Sequence, residues 1–168
     1  MPLSKKTKAE IILGIDPGLA DTGYGLILKD GGRLSLIAYG CVKTKKDKDL
    51  GQRLKQINQE LTALIKKFEP TQLAVEQLFF CKNVKTALVV GQARGVIILT
   101  AIENNLPIYE FTPLQVKQAV ASYGRAEKRQ IQEMVKILLH LKNCPQPDDA
   151  ADALAIAICC AQTNQFLL

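Results

Sequence analysis

An α/β fold is predicted for this chain: one mixed five-stranded sheet, three antiparallel strands then two parallel, flanked by helices. Three observations predict it. Strand-like and helical hydrophobic patterns follow one another in the order βββαβαβααα. The first three strand-like runs are joined by short turns, as in an antiparallel meander. The later strands are separated by helical segments, as parallel pairing requires.

Residues 1–10 read as a basic lead, and residues 11–163 as a single domain with a short tail at 164–168. Strand one is Ile11-Ile12-Leu13-Gly14-Ile15-Asp16, a run apolar enough to be buried on both faces. Pro17 and Gly18 end it, because proline cannot donate to a ladder and glycine permits a sharp turn. Leu19-Ala20-Asp21 is the expected turn, and residues 22–28 strand two. Asp30-Gly31-Gly32 is a hairpin signal leading into strand three at 33–43, followed by a charged, solvated loop at 43–49. Leu50, Leu54, Ile57, Leu61, Leu64, Ile65 and Phe68 recur at helical spacing, and Pro70 stops that helix. Leu73-Ala74-Val75-Glu76 is a fourth short strand. Asn83 is a candidate cap for a long helix from about 84 to 104. Residues 107–111 are strand five, and Thr112-Pro113 an N-cap with proline at the first helical position. Gly124 breaks that helix, 127–139 forms another, and Pro147 opens the last, which runs to about 163.

The formal net charge of +6 and pI of about 9.1 favour a polyanionic partner, nucleic acid most simply. Five cysteines, with no C-x-x-C pair, predict free thiols in a reducing cytoplasm. The single histidine, His140, has no ligand pattern around it and reads as a helix-end residue. No signal peptide is evident, and residues 87–102 are interrupted by Gln92 and Arg94, so no membrane segment is expected. A soluble, cytoplasmic protein is the expectation.

Asp16 and Glu76 each end a buried strand, where a carboxylate is costly unless a cation or hydrogen bonds meet it. Turn capping is the plainer role for Asp16. If strands one and four are parallel neighbours, both carboxylates emerge at one sheet edge, the usual site in an open α/β sheet. Asp148-Asp149-Ala150-Ala151-Asp152 adds further acids. Asp149 and Asp152 share a helix face at i,i+3, and Asp148 and Asp152 at i,i+4, so spacing leaves the partner of Asp152 open. Acids in a first turn also suit the helix dipole, which accounts for Asp148 better than for Asp152. Oxygen-only ligands point to Mg²⁺ or Mn²⁺, and on a basic protein to phosphodiester hydrolysis.

Distinctive blocks are Gly14-Ile15-Asp16-Pro17-Gly18, Thr22-Gly23-Tyr24-Gly25, Val75-Glu76-Gln77-Leu78-Phe79, Leu88-Val89-Val90-Gly91-Gln92-Ala93-Arg94-Gly95, Gln115-Val116-Lys117-Gln118, Ala126-Glu127-Lys128 and Asp149-Ala150-Ala151-Asp152-Ala153-Leu154. Together these blocks resemble the RuvC family of crossover junction endodeoxyribonucleases. They occur in family order. The resemblance implies an RNase H-like fold, a homodimer, and Mg²⁺-dependent resolution of Holliday junctions in recombination and repair, with Mn²⁺ as a substitute. It implies a short T-rich cut site and cooperation with the RuvA–RuvB branch-migration complex. It maps the catalytic and metal-binding carboxylates onto Asp16, Glu76, Asp149 and Asp152, favouring Asp149 over Asp148, and implies that Asp16 bridges two ions and that a 5′-phosphate nick results.

The same resemblance gives Phe79 a base-stacking role, while Phe80 is read as core. Lys82 and Lys85 are expected to contact the backbone nearby. Lys117, Arg125, Lys128 and Arg129 form a second basic feature, with Lys117 and Lys128 near the metals and otherwise simply a solvated helix face. Lysines 43, 45, 46 and 48 suggest generic attraction to phosphate. Gly91 and Gly95, on one helix face, permit close approach of either the chain's own sheet or a second subunit. Two other readings compete: an ATPase of the actin or sugar-kinase superfamily, for which the chain is too short, and a non-catalytic branched-DNA-binding module.

Overall fold

A computed structural model describes residues 9–78 and 84–163. Its strands are β1 (Glu10–Asp16), β2 (Asp21–Asp30), β3 (Arg33–Lys43), β4 (Gln72–Glu76) and β5 (Ile108–Phe111). They form one sheet in the order β3-β2-β1-β4-β5. β1 pairs antiparallel with β2, Ile15 opposite Tyr24, and parallel with β4, Ile15 opposite Val75. The mixed sheet and the parallel pairing of strands one and four are thus as expected.

Alternation along the strands sorts side chains into two cores. Leu13, Ile15, Leu73 and Val75 pack with α1 (Leu50–Phe68) and α2 (Val84–Glu103) on one face. Ile12 and Ala74 pack on the other with α3 (Pro113–Ala121), α4 (Lys128–Leu138) and α5 (Asp148–Gln162). α5 crosses β1 and β2 closely because two glycines let it: a Cβ on Gly14 would collide with the Ala153 carbonyl, and one on Gly23 with the Asp149 carbonyl.

Helix ends follow the local chemistry. Thr112 caps α3 in a reciprocal box with Gln115, and Pro113 is the first helical residue. Asp49 caps α1 through its bond from the Gln52 N–H, a cap not foreseen at the end of a loop read as merely charged. That loop is also not wholly solvated: Thr44 is buried and donates to the Leu19 carbonyl. Asp21 opens β2 instead of closing the turn. His140 follows α4 with a positive φ of 54°, at a helix end as anticipated. Cys41, Cys144, Cys159 and Cys160 form no disulfide among the described residues. The proposed cap Asn83 and the core reading of Phe80 lie outside the described residues.

α2 is long and apolar enough to cross a membrane, despite Gln92 and Arg94. In this fold it lies on the sheet, with Ala93, Ile97 and Ala101 in the core and Thr100 accepting from Asn58 of α1. Its two glycines divide: a Cβ on Gly91 would touch Leu78, whereas one on Gly95 meets no atom within 4 Å.

Candidate active site

β1 and β4 run parallel and in register, so their last residues, Asp16 and Glu76, leave the same sheet edge. The strand alternation that sends Ile12 and Ala74 towards α5 sends both carboxylates there too. α5 brings the third acid. From Ala150 to Ala161 every residue of that helix is buried except Asp152. Asp16, Glu76 and Asp152 line a cavity of about 220 Å³, whose other charged walls are Lys117 of α3 and Lys128 of α4.

The cavity carries more negative charge than its surroundings balance. Burial first, then the charges of Asp152, Glu76 and Asp149, push the Asp16 carboxyl up to about 8, with Lys128 opposing. Glu76 is raised by burial and by Asp152, against Lys117. Asp152 is raised by burial despite Lys128, whose Nζ lies 3.1 Å from its Oδ2. Lys128 loses some basicity to burial, but its bonds to Asp152 and Asp148 more than restore it.

The two candidates on the first turn of α5 separate clearly. Asp148 faces α4, 3.3 Å from the Lys128 Nζ and accepting from Gln132 at 3.0 Å. Those partners hold its carboxyl below the usual range. Asp149 instead lines an adjoining groove with Gly18, Asp21, Arg53 and Lys85. Its charge is nonetheless felt at Asp16 and Asp152. Among the described residues, no three acidic, histidine or cysteine side chains stand as a ready-made metal shell. The donor chemistry does fit a hard divalent cation: the acids are oxygen donors, and burial together with the neighbouring carboxylates raises the most buried of them, Asp16.

The other sequence candidates scatter. Lys85 sits in the Asp149 groove. Arg125 is exposed in the α3–α4 connection, and Arg129 lines a separate cavity with Tyr123 and Glu133. Phe79 and Lys82 lie outside the described residues. Lys43 pairs loosely with Asp21 at 3.9 Å, and Lys48 bonds Gln56.

Sequence reasoning missed a brace behind Glu76. Arg94 of α2 reaches Glu110 of β5 at 2.7 Å, and its Nε donates to the Glu76 carbonyl at 3.3 Å. An arginine inside an apolar helix was the available signal, since such a charge is buried only with a partner.

The family model for crossover junction endodeoxyribonuclease RuvC matches residues 12–160. The chain belongs to the RuvC family. A RuvC of Heliobacterium modesticaldum is 57% identical over 153 residues, 91% of this chain and 94% of that one. One from Alkaliphilus oremlandii is 55% identical over 156 residues, 93% and 95% of the two chains. The solved structure of T. thermophilus RuvC in complex with Holliday junction substrate matches with a TM-score of 0.87 at 36% identity, covering 91% of this chain and 93% of that one. The yeast mitochondrial Holliday junction resolvase Ydc2 shares the fold at 15% identity, with a TM-score of 0.64 over 90% of this chain and 78% of its own. The RNase H-like architecture of RuvC is therefore that of this chain.

Proposed function

We propose that this protein is a structure-selective endodeoxyribonuclease that resolves Holliday junctions by symmetric, metal-dependent phosphodiester hydrolysis. The observation that carries the reading is the convergence of Asp16, Glu76 and Asp152, from separate elements, on one cavity also walled by Lys117 and Lys128. The family relationship supports it. It also disfavours the non-catalytic alternative, because all four acids are present.

Asp16, Glu76, Asp149 and Asp152 would hold the Mg²⁺. Bound there, such ions lower the pKa of a water and stabilise the departing oxygen. The chain's own contribution is placement and charge. The parallel strands fix Asp16 and Glu76 side by side, and the glycine-lined crossing holds α5 at the distance that brings Asp152 in. Lys128 puts its ammonium against Asp152 at the cavity edge, where it offsets negative charge on an incoming phosphate. Lys117 does the same opposite Glu76.

A four-way junction cut symmetrically needs two equivalent sites, which a twofold homodimer supplies. The outward face of α2 suits such a contact. Leu88, Gln92, Gly95, Leu99 and Ile102 recur at alternating spacings of four and three, and Leu88, Leu99 and Ile102 are 63%, 55% and 60% exposed. Cooperation with RuvA–RuvB and a cytoplasmic location complete the reading.

The test is cleavage of a synthetic four-way junction, with fork and duplex controls, with and without Mg²⁺. Asp16→Asn is expected to abolish nicking while leaving junction binding nearly intact. Wild-type cutting rates in that variant would remove Asp16 from the chemistry. Junction binding with no Mg²⁺-dependent nicking by the wild type would instead support the non-catalytic module.

A further inference from the structure

We propose that the groove beside Asp149 is a second DNA-backbone subsite, with Arg53 as its phosphate-binding residue. The strand being cut is thereby gripped on both sides of the carboxylates. This rests on the junction-cleaving function above and adds a residue to its site.

The groove measures about 500 Å³ and is lined by Arg53, Lys85 and the turn after β1, with Asp149 as its boundary towards the acids. The cavity on the other side holds Asp16 and Asp152 together with Lys117 and Lys128. Cationic side chains thus flank the carboxylate group in two separate depressions. A DNA strand carries a negative charge at every nucleotide, so a strand laid across four acids needs positive charge before and after them.

Arg53 is built into its place. Its Nε donates to the Thr44 hydroxyl at 2.8 Å. Thr44 is only 7% exposed; its hydroxyl donates to the Leu19 carbonyl and its N–H to the Ala20 carbonyl at 2.9 Å. Thr22 closes the same turn by donating to the Gly18 carbonyl at 2.6 Å. The guanidinium and the groove wall therefore form one hydrogen-bonded unit. A guanidinium fixed through Nε still has its two terminal NH₂ groups, and it loses little freedom when they meet an anion. Among the described residues, no carboxylate is ion-paired to Arg53, and the acid beside it, Asp21, is turned to Lys43.

The experiment is junction binding as a function of salt, with Ca²⁺ in place of Mg²⁺, for the wild type, Arg53→Gln, Arg53→Lys and Lys85→Gln. Arg53→Gln is expected to weaken binding about tenfold and to lower the log–log salt slope by about 1. Arg53→Lys keeps the slope and loses part of the affinity. Replacing single phosphates by neutral methylphosphonates should reveal one position that weakens the wild type about tenfold and leaves Arg53→Gln unaffected. Arg53→Gln with wild-type affinity and slope, or with losses at every methylphosphonate position, overturns the subsite. If Arg53→Gln does not fold, Lys85→Gln, on an exposed side chain, decides by the same slope and scan. A wild type that ignores four-way junctions overturns the parent function, and the subsite with it.

Discussion

Without metal, the folded chain favours the protonated form of the Asp16 carboxyl, which an unfolded chain would ionise at neutral pH. That carboxyl moves from an ordinary value of 3.8 to about 8, mainly through burial. Between those values the unfolded state binds fewer protons than the folded one, so stability from this residue falls as pH rises and is fully lost only above about 8. Asp16→Asn should therefore stabilise the metal-free protein at pH 8, by an amount on the order of 2 kcal/mol, raising its melting temperature and flattening the decline between pH 5 and 8. A melting temperature unchanged at pH 8 would show that the carboxyl is not strained by its surroundings. Mg²⁺ should reverse the ranking, stabilising the wild type and not the variant. At the same scale, Asp16 and Glu76 were readable because each ends a strictly apolar run. Asp148 and Asp149 were not separable by spacing: what divides them is that α4 offers Lys128 and Gln132 to one and not to the other. Arg53 gave no signal at all, since its neighbours Thr44 and Leu19 are brought to it by the sheet.

α5 is the element on which site and core both depend. Its backbone lies against Gly14 and Gly23, so a single methyl there must push the helix outward. Gly23→Ala is expected to cost about 1–3 kcal/mol in urea unfolding and to reduce cleavage by about 100-fold, because Asp149 and Asp152 move with the helix. Equal, modest losses in both assays would mean that the crossing distance does not tune the site. The pair joining α2 to β5 is a second test. Arg94 and Glu110 are 19% and 24% exposed, so Arg94→Met should cost about 2–3 kcal/mol, between surface and buried values. A full-length chain that unfolds at the wild-type urea concentration would assign that brace no structural weight. The elements themselves were legible from period and punctuation, their bounds shifting by a residue or so. The setting of α2 was not: apolar residues occur nearly all round it, and only packing shows which stripe meets the sheet.

Across the whole molecule, one face of α2 leaves Leu88, Leu99 and Ile102 uncovered. If two chains join there, Leu99→Arg should yield monomers in sedimentation, still able to bind a junction but making unpaired nicks instead of matched cuts. A dimer that survives this change would place the contact elsewhere. Symmetry of this kind is invisible to residue patterns, because a helix buried by a partner and one buried by its own sheet read alike. The order of elements has one more effect. β1, β4 and α5 each supply part of the acidic cluster, and α5 follows the entire sheet in the chain. A polypeptide still emerging from the ribosome can lay down its strands, yet it has neither Asp149 nor Asp152, nor the helix that seals one side of the sheet. The acidic cluster and final folding thus arrive together.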